Sequence, residues 1–598
     1  MSTKERYLCH LLNIRAVPQL LLFSLMASIL ALFTTTAKAQ LFVPNPLQNP
    51  LCSKIGKQIQ VSTGLRMYCF GPQPNGPKFS ASTNQSSSAA STNTSSSGTV
   101  SNSGSTGTFS FSKNVDAASL SEDISPSGVR AYGQSEVSIA ASGPHVVEAW
   151  NDSMVFFASC PSPMNKEEAT GAGFSNDGGN TFTDIGGLPN NNCANYLLFG
   201  DPSVEVLQGV GTTYFYISSL YLPVSFAGVT SQIAINVCTL AGTGPLSCSQ
   251  PVVAAVSSEP FTFLDKEFMT IDPAHNRLYI SYTEFGCSSC GAGQIELAAC
   301  DISTPTTPVC QNGSSGSSIT PAPPYLVVAT GDPNCEQEGA YPGVDRATGD
   351  VYVAYEFNWA TNFSGPPCNS TATQNVLKYV AFTPCLAPAG PPALTSPCAP
   401  PRPGASVNIT SMDAAFVSGY NRFPASDFPR IAVSDPAGTV SIIWNDAGTN
   451  PLGDILLQSY ALVSLTPKTS SPVKINNDSA VGTLHFLPAT RNVDSNGLLS
   501  ISWFDRRLNP NTALTDVFAA VEISPLITST PKFNQRVTDV SSNWLAASSD
   551  IIPNFGDYTD NYVFVAPASA TGATLFVAWS DGRLNDPQPF ESHAGLSK

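Results

Sequence analysis

The stretch LLSISWFDRR, Leu498–Arg507, follows a turn signal, Asp494-Ser495-Asn496-Gly497, and ends in a charged group at Asp505-Arg506-Arg507. Between them apolar and small residues alternate as far as Trp503. Alternation with a period of two marks a strand with two unlike faces. The same grammar returns as TLFVAWSDGR (Thr574–Arg583), VSIIWND (Val440–Asp446), VYVAYEF (Val351–Phe357), LYISYTE (Leu278–Glu284) and HVVEAWND (His145–Asp152). A degenerate copy, TYFYISSLY, spans Thr213–Tyr221. Seven copies at intervals of roughly 60–90 residues describe one supersecondary unit used repeatedly.

Outward from each copy, four strands can be read. The fifth unit offers Phe428–Ser434, then VSIIW after the turn Asp435-Pro436-Ala437-Gly438, then Asp454–Ala461 and Pro472–Asn476. The sixth offers PATRNV, LLSISW, Asp516–Ile523 and Lys532–Val540. Four antiparallel strands per unit is the layout of a propeller blade, and Trp or Tyr on the second strand is placed to fill the space between blades. The fold expected is all-β: one β-propeller of four-stranded antiparallel blades over about residues 113–598. Seven blades follow from the repeats, or six if the degenerate second unit is an insertion. The last unit lacks clear third and fourth strands, so a segment before Glu136, near Thr108–Ser112, is expected to close the ring.

Residues 1–39 read as a targeting segment. Lys4, Arg6 and Arg15 give a basic start, Leu20–Phe33 an apolar core and Ala37-Lys38-Ala39 a cleavage site, an uncleaved anchor being the alternative. No later run is long and apolar enough to span a bilayer. The expected location is therefore secreted, periplasmic or cell-surface. Cleavage would remove four basic residues against one acidic, taking the net charge from −16 to −19. Such a chain repels nucleic acid and anionic membranes and favours cations. Residues 40–78 are Pro-rich and carry Cys52 and Cys69; residues 79–112 are Ser, Thr, Asn and Gly with little to bury, a disordered linker. Of 15 cysteines, Cys9 leaves with the targeting segment, and the even remainder in an exported chain suggests disulfides. Cys287 and Cys290 form a C-x-x-C, either a redox or metal motif or a structural pair.

One local motif is more specific. Ser175-Asn176-Asp177-Gly178-Gly179-Asn180-Thr181-Phe182 fits S-x-D-x-G-x-T-[W/F], a tight hairpin in which the Asp side chain accepts from turn donors, Gly allows positive φ and the hydroxyls tie the ends. Ser175, Asp177, Gly179, Thr181 and Phe182 together resemble the Asp-box, or bacterial-neuraminidase repeat, of sialidases and related propellers. The W-x-D-x-R endings at Trp503–Arg507 and Trp579–Arg583 also resemble exported sialidase-like proteins of bacteria. The resemblance implies a structural turn on the outer part of a blade. It also implies the family's chemistry: three arginines that clamp a carboxylate, a Tyr nucleophile activated by Glu, and an Asp acid/base.

A second periodicity concerns the channel. Glu136, Asp201, Glu267, Glu338, Asp427 and Asp557 stand at the entry to first strands, with His485 in that place in the sixth unit. First strands line a propeller's channel, so these side chains are expected at one mouth, where a ring of carboxylates holds a cation, shifts pKa values, or caps turns. Glu267 and Asp427 are the candidate metal ligands, with calcium the ion. Arg430 and Arg491 are the inner-strand arginines, two where the resemblance implies three, and the order Phe428-Pro429-Arg430-Ile431 departs from the family's F/Y-R-I-P. Tyr341 and Tyr558 lie beside Glu338 and Asp557, which completes the candidate catalytic group. Two functions stay open, a propeller binding glycan or surface protein and an exo-acting hydrolase of sialidase type; a structural envelope protein is a third.

Overall fold

The computed structural model describes Cys52, residues 62–71 and, with breaks, 98–597; the longest breaks are 158–167, 311–325, 360–372, 380–402 and 412–427. The targeting segment, most of 40–97 and Asp427 lie outside the described residues.

Six sheets follow one another along the chain, each built from consecutive strands and each antiparallel. They begin with Gln134–Ser142 (blade 1), Tyr196–Leu198 and Ser203–Gln208 (blade 2), Phe263–Asp272 (blade 3), Glu336–Val344 (blade 4), Arg430–Ser434 (blade 5) and His485–Ala489 (blade 6). A composite sheet, blade 7, completes the ring. It takes Asp560–Val565, Gly572–Asp581 and Gln588–Ser597 from the C-terminal end and Val115–Asp116 from before the first blade. First strands touch in turn from blade 1 to blade 5, the second strands of blades 5 and 6 touch the first strands of blades 6 and 7, and the first strand of blade 7 touches that of blade 1. The molecule is thus a β-propeller. The degenerate unit Thr213–Tyr221 is the second strand of a six-stranded sheet and so belongs to a blade, not to an insertion.

The closing strand lies a few residues beyond the expected Thr108–Ser112. Val115 pairs with Glu591 and Asp116 with Phe590, while Ser112 and Ala117 extend the ladder with single backbone bonds. The end of the expected linker folds instead into a hairpin, Gly98–Asn102 with Ser105–Phe109, and Phe109 packs into the core between blades 6 and 7.

Trp150, Trp444, Trp503 and Trp579 are among the largest fully buried side chains. Each packs towards the preceding blade: Trp150 on Phe576 and Ala578, Trp503 on Ile443 and Ile455, Trp579 on Phe486 and Phe504. A lone sheet leaves both faces wet; these aromatic wedges bury the faces pairwise, each contributing roughly 1.5–3 kcal/mol or more.

The inner strands share one irregularity. Glu136 (φ 55), Asp201 (φ 56), Lys266 (φ 56), Gly339 (φ 66), Leu487 (φ 48) and Gly556 (φ 76) all take the left-handed conformation near the start of their blade. In blades 1, 3, 4 and 6 the pairing register slips at that point. A bulge there re-aims the next side chains, and non-glycine residues hold it at a cost of roughly 1–3 kcal/mol each.

Candidate functional site

The bulges turn Glu136, Asp201, Asp265 and Asp557 towards one end of the channel, and that end is filled by the chain itself. Residues 63–70 form a helix with Ser62 as N-cap, its hydroxyl accepting from Leu65 N at 3.1 Å. Ser62 N donates to Asp265 Oδ2 at 2.8 Å, Gly64 N to Asp201 Oδ1 at 2.9 Å, and Thr63 Oγ1 to Glu136 Oε1 at 2.7 Å. Orphan N–H groups and the positive end of the helix dipole are thus met by carboxylates. Leu65, Met67, Tyr68 and Cys69 pack on Phe199, Leu220, Phe263 and Phe285, and the Cys52–Cys69 disulfide ties the helix to the segment upstream.

Lys266 sits at the centre of these acids, fully buried, paired with Asp557 and 3.7 Å from Glu136 Oε1. Asn151 donates to Glu136 Oε2 at 2.7 Å, and Asp557 N to Oε1 at 2.9 Å. One lysine does not neutralise the whole group. Burial, then the neighbouring Asp201, holds the Glu136 carboxyl well above its usual range; burial also raises Asp201 to about 6. Glu267 is wholly buried, neither of its oxygens meets a hydrogen-bond partner from another described residue, and burial raises its carboxyl likewise. The space between Glu136, Asp201 and Asp557 is taken by Lys266 and the helix.

Deeper in the channel, Arg430 lies in an aromatic box, its guanidinium carbon 4.5 Å from the Tyr341 ring, 4.8 Å from Phe268 and 5.5 Å from Tyr558. Its Nη2 donates to Thr559 O at 3.2 Å. Burial lowers the Arg430 pKa and raises Tyr341 to about 12. Tyr558 is pushed up by burial and by Asp201, and its hydroxyl donates to Pro202 O at 3.0 Å. These are packing partners held from water. Glu338 is buried in the bulge of blade 4 opposite Glu356, and His485 is buried between blades 5 and 6 with Asp478 at 3.2 Å.

The far ends of the inner strands frame a cavity of about 310 Å³, bordered by Glu205, Gln208, Thr270, Arg346, Arg491 and Tyr562. Arg491 anchors it. Its Nε donates to Asp560 Oδ1 at 2.9 Å and its Nη1 to Glu205 Oε1 at 2.8 Å; Nη2 reaches Asp560, Ser138 Oγ and Val204 O. The bidentate grip on Asp560 fixes the fork. Arg346, half-buried on the turn after the first strand of blade 4, and the exposed Gln208 supply the less constrained polar groups.

Of the six catalytic candidates, Tyr341, Arg430 and Tyr558 converge in one box, Asp557 lies at the plugged mouth, Arg491 at the opposite cavity, and Glu338 apart from these. Sequence reasoning missed Lys266, although it stands one residue before Glu267 at the same strand entry. It missed the helix, although Ser62 ahead of Leu65, Met67, Tyr68, Cys69 and Phe70 is an N-cap signal. Glu205, Arg346 and Asp560 carried no pattern of their own.

No family model matches the chain, and no curated protein matches it. Among solved structures, a Hadza microbial sialidase is similar at a TM-score of 0.33 and 9% identity, covering 71% of this chain and 73% of that one. Trypanosoma rangeli sialidase in complex with 2,3-difluorosialic acid is similar at a TM-score of 0.31 and 9% identity, covering 83% of this chain and 59% of that one. An exo-1,5-α-L-arabinanase from a bovine ruminal metagenomic library is similar at a TM-score of 0.26 and 13% identity, covering 57% and 97% respectively. Values this low carry no argument about chemistry; the fold rests on the sheets themselves.

Proposed function

We propose that the chain is an exported propeller that binds a polar ligand, a glycan or the glycan of a surface protein, at the arginine-bearing end of its channel. The observation that carries this reading is the convergence of Glu205, Gln208, Arg346 and Arg491 on one cavity, at the end opposite the helix. Fixed charge beside hydrogen-bonding side chains of both donor and acceptor type suits a hydroxyl-rich ligand. Four disulfides among the described residues support export to an oxidising compartment.

Hydrolysis of sialidase type is the second reading, and the placement of the phenols weighs against it. Tyr341 and Tyr558 are buried around Arg430 rather than at the cavity, and a phenol raised to about 12 is a poor nucleophile near neutral pH. The test is a glycan array with the full chain, beside hydrolysis of a fluorogenic sialoside. Binding weakened about tenfold or more in Gln208→Ala and Arg346→Ala, with no turnover, supports the proposal. Turnover lost in Tyr341→Phe or Arg430→Ala would make the chain a hydrolase instead.

A further inference from the structure

Two of the disulfides are blade furniture. Cys238–Cys248 and Cys300–Cys310 occupy the same place in blades 2 and 3, each joining a third strand to an outer strand as direct cross-strand neighbours. Cys287–Cys290 is unlike them. It closes a turn between the second and third strands of blade 3, where Cys290 N donates to Cys287 O at 3.2 Å and the two intervening serines are exposed.

This turn lies against a carboxylate with unfinished chemistry. Glu284 is wholly buried near the end of the strand Arg277–Phe285. Its Oε1 accepts from Ser258 N at 2.6 Å, Ser258 Oγ at 2.8 Å and Thr262 Oγ1 at 2.8 Å. Among the described residues its buried Oε2 meets no N–H or hydroxyl donor, and the Glu284 carboxyl lies against that of Glu296, which burial and then Glu284 hold well above its usual range. One ligand atom each from Glu284, Cys287 and Cys290 lies within 4.8 Å of the others. Two carboxyls buried against each other are costly unless a proton or a cation is shared between them, and a disulfide offers neither. Two thiolates and a carboxylate at this spacing are a donor set for zinc, and C-x-x-C is a ligand spacing that such sites use.

We propose that Glu284, Cys287 and Cys290 form a redox-gated site for a thiophilic divalent cation of the zinc type, shut as a disulfide and opened by a dithiol. The step balances. A dithiol's thiolate attacks one sulfur and the Cys287–Cys290 bond breaks, leaving a mixed disulfide; the reductant's second thiolate then bonds to its own first sulfur and expels the cysteine as a thiolate. The reductant leaves as a disulfide after giving two electrons and two protons, and the chain keeps two thiols. Binding the cation then releases both protons, and Glu284 Oε2 joins the two sulfurs as third ligand. The exposed turn is the path by which the reductant enters.

The test uses the full chain purified without reductant, one half treated with a phosphine and desalted, both titrated with cobalt(II) and zinc(II). The reduced chain is expected to take one cobalt with a thiolate-to-metal band in the near ultraviolet, displaced by zinc, while the oxidised chain takes none. Cys287→Ser should abolish the band. Glu284→Gln, near-isosteric and still able to accept from Ser258 and Thr262, should weaken affinity about tenfold or more. A Cys238→Ser/Cys248→Ser double variant should bind as the parent does. The proposal is overturned if the reduced parent shows no band, or if Glu284→Gln binds as tightly as the parent, which holds even where Cys287→Ser fails to fold.

Discussion

At the scale of single residues, the repeated W-x-D-x-R ending is a small machine. Trp579 Nε1 donates to Asp581 Oδ2 at 2.8 Å; Asp581 Oδ1 accepts from Arg583 N at 2.9 Å, and Oδ2 again from Arg583 Nη2 at 2.7 Å. Ser542 Oγ adds a bond from the connector before blade 7. Trp503, Asp505 and Arg507 repeat the set, at 2.8 Å for the indole, 2.7 Å for the backbone amide and 2.8 Å for Arg507 Nε. The acid two positions on fastens the wedge that fills the inter-blade space and tethers the arginine leaving the strand. Asp581→Ala strands a buried indole N–H and removes one of the two acids that Arg583 pairs with, and should cost about 3–5 kcal/mol in urea unfolding. Asp581→Asn, which keeps an acceptor, should cost about 1–3 kcal/mol. Equal losses in the two variants would show that charge is immaterial there. The aspartate and the arginine two positions on were legible as a repeated W-x-D-x-R ending. The indole bond was not, because it depends on the rotamer that packing against the neighbouring blade selects.

At the scale of elements, the blade strands were legible because each carries its own period and turn residues, whereas the helix Thr63–Phe70 was not. Eight residues after a Pro-rich run are too short to propagate a helix in water, so its stability comes from the seat. The ring of strand-entry acids was visible, but its occupant lies some seventy or more residues away in sequence from the first of them, and no local pattern links the two. Gly64 marks how close the fit is. A Cβ there would stand 2.1 Å from Phe199 O and 2.8 Å from Asp201 Oδ1. Gly64→Val should therefore unseat the helix while leaving the blades paired. Hydrogen exchange of amides 64–71 should quicken by about a hundredfold, with strand amides of blade 5 unchanged. Protection that persists at residues 64–71 would mean that the helix does not depend on this contact.

At the scale of the molecule, stability depends on closing the ring between blades 7 and 1, and that seam is acidic. Glu148 of blade 1 faces Glu591 and Asp116 of blade 7, with Asp560 beyond. Neither oxygen of Glu148 has a hydrogen-bond partner among the described residues. Burial, then Glu591 and Asp116, pushes the Glu148 carboxyl well above its usual range; burial does the same to Glu591, and raises Asp116 to about 8. The sign follows from proton counts. Above the unfolded carboxyl values of 3.8 and 4.5, the folded seam holds protons that the unfolded chain has released. Stability from these groups is complete below that range and is lost as pH rises through the folded values, for Asp116 through about 8. Asp177 works in the opposite sense. Its burial is outweighed by bonds from Thr181 and Ser175, so its contribution is present above 3.8 and lost only in acid. The urea midpoint should accordingly fall between about pH 6 and about pH 9, and Glu148→Gln with Asp116→Asn should flatten part of that slope. Only part, because Glu136 and Glu267 at the plugged mouth are raised in the same direction. The pair of substitutions should also leave the chain more stable than the parent at the alkaline end, since the neutral amide has no charge to desolvate. An unaltered slope in the double variant would remove the seam from this account and leave the mouth as the seat of the alkaline loss.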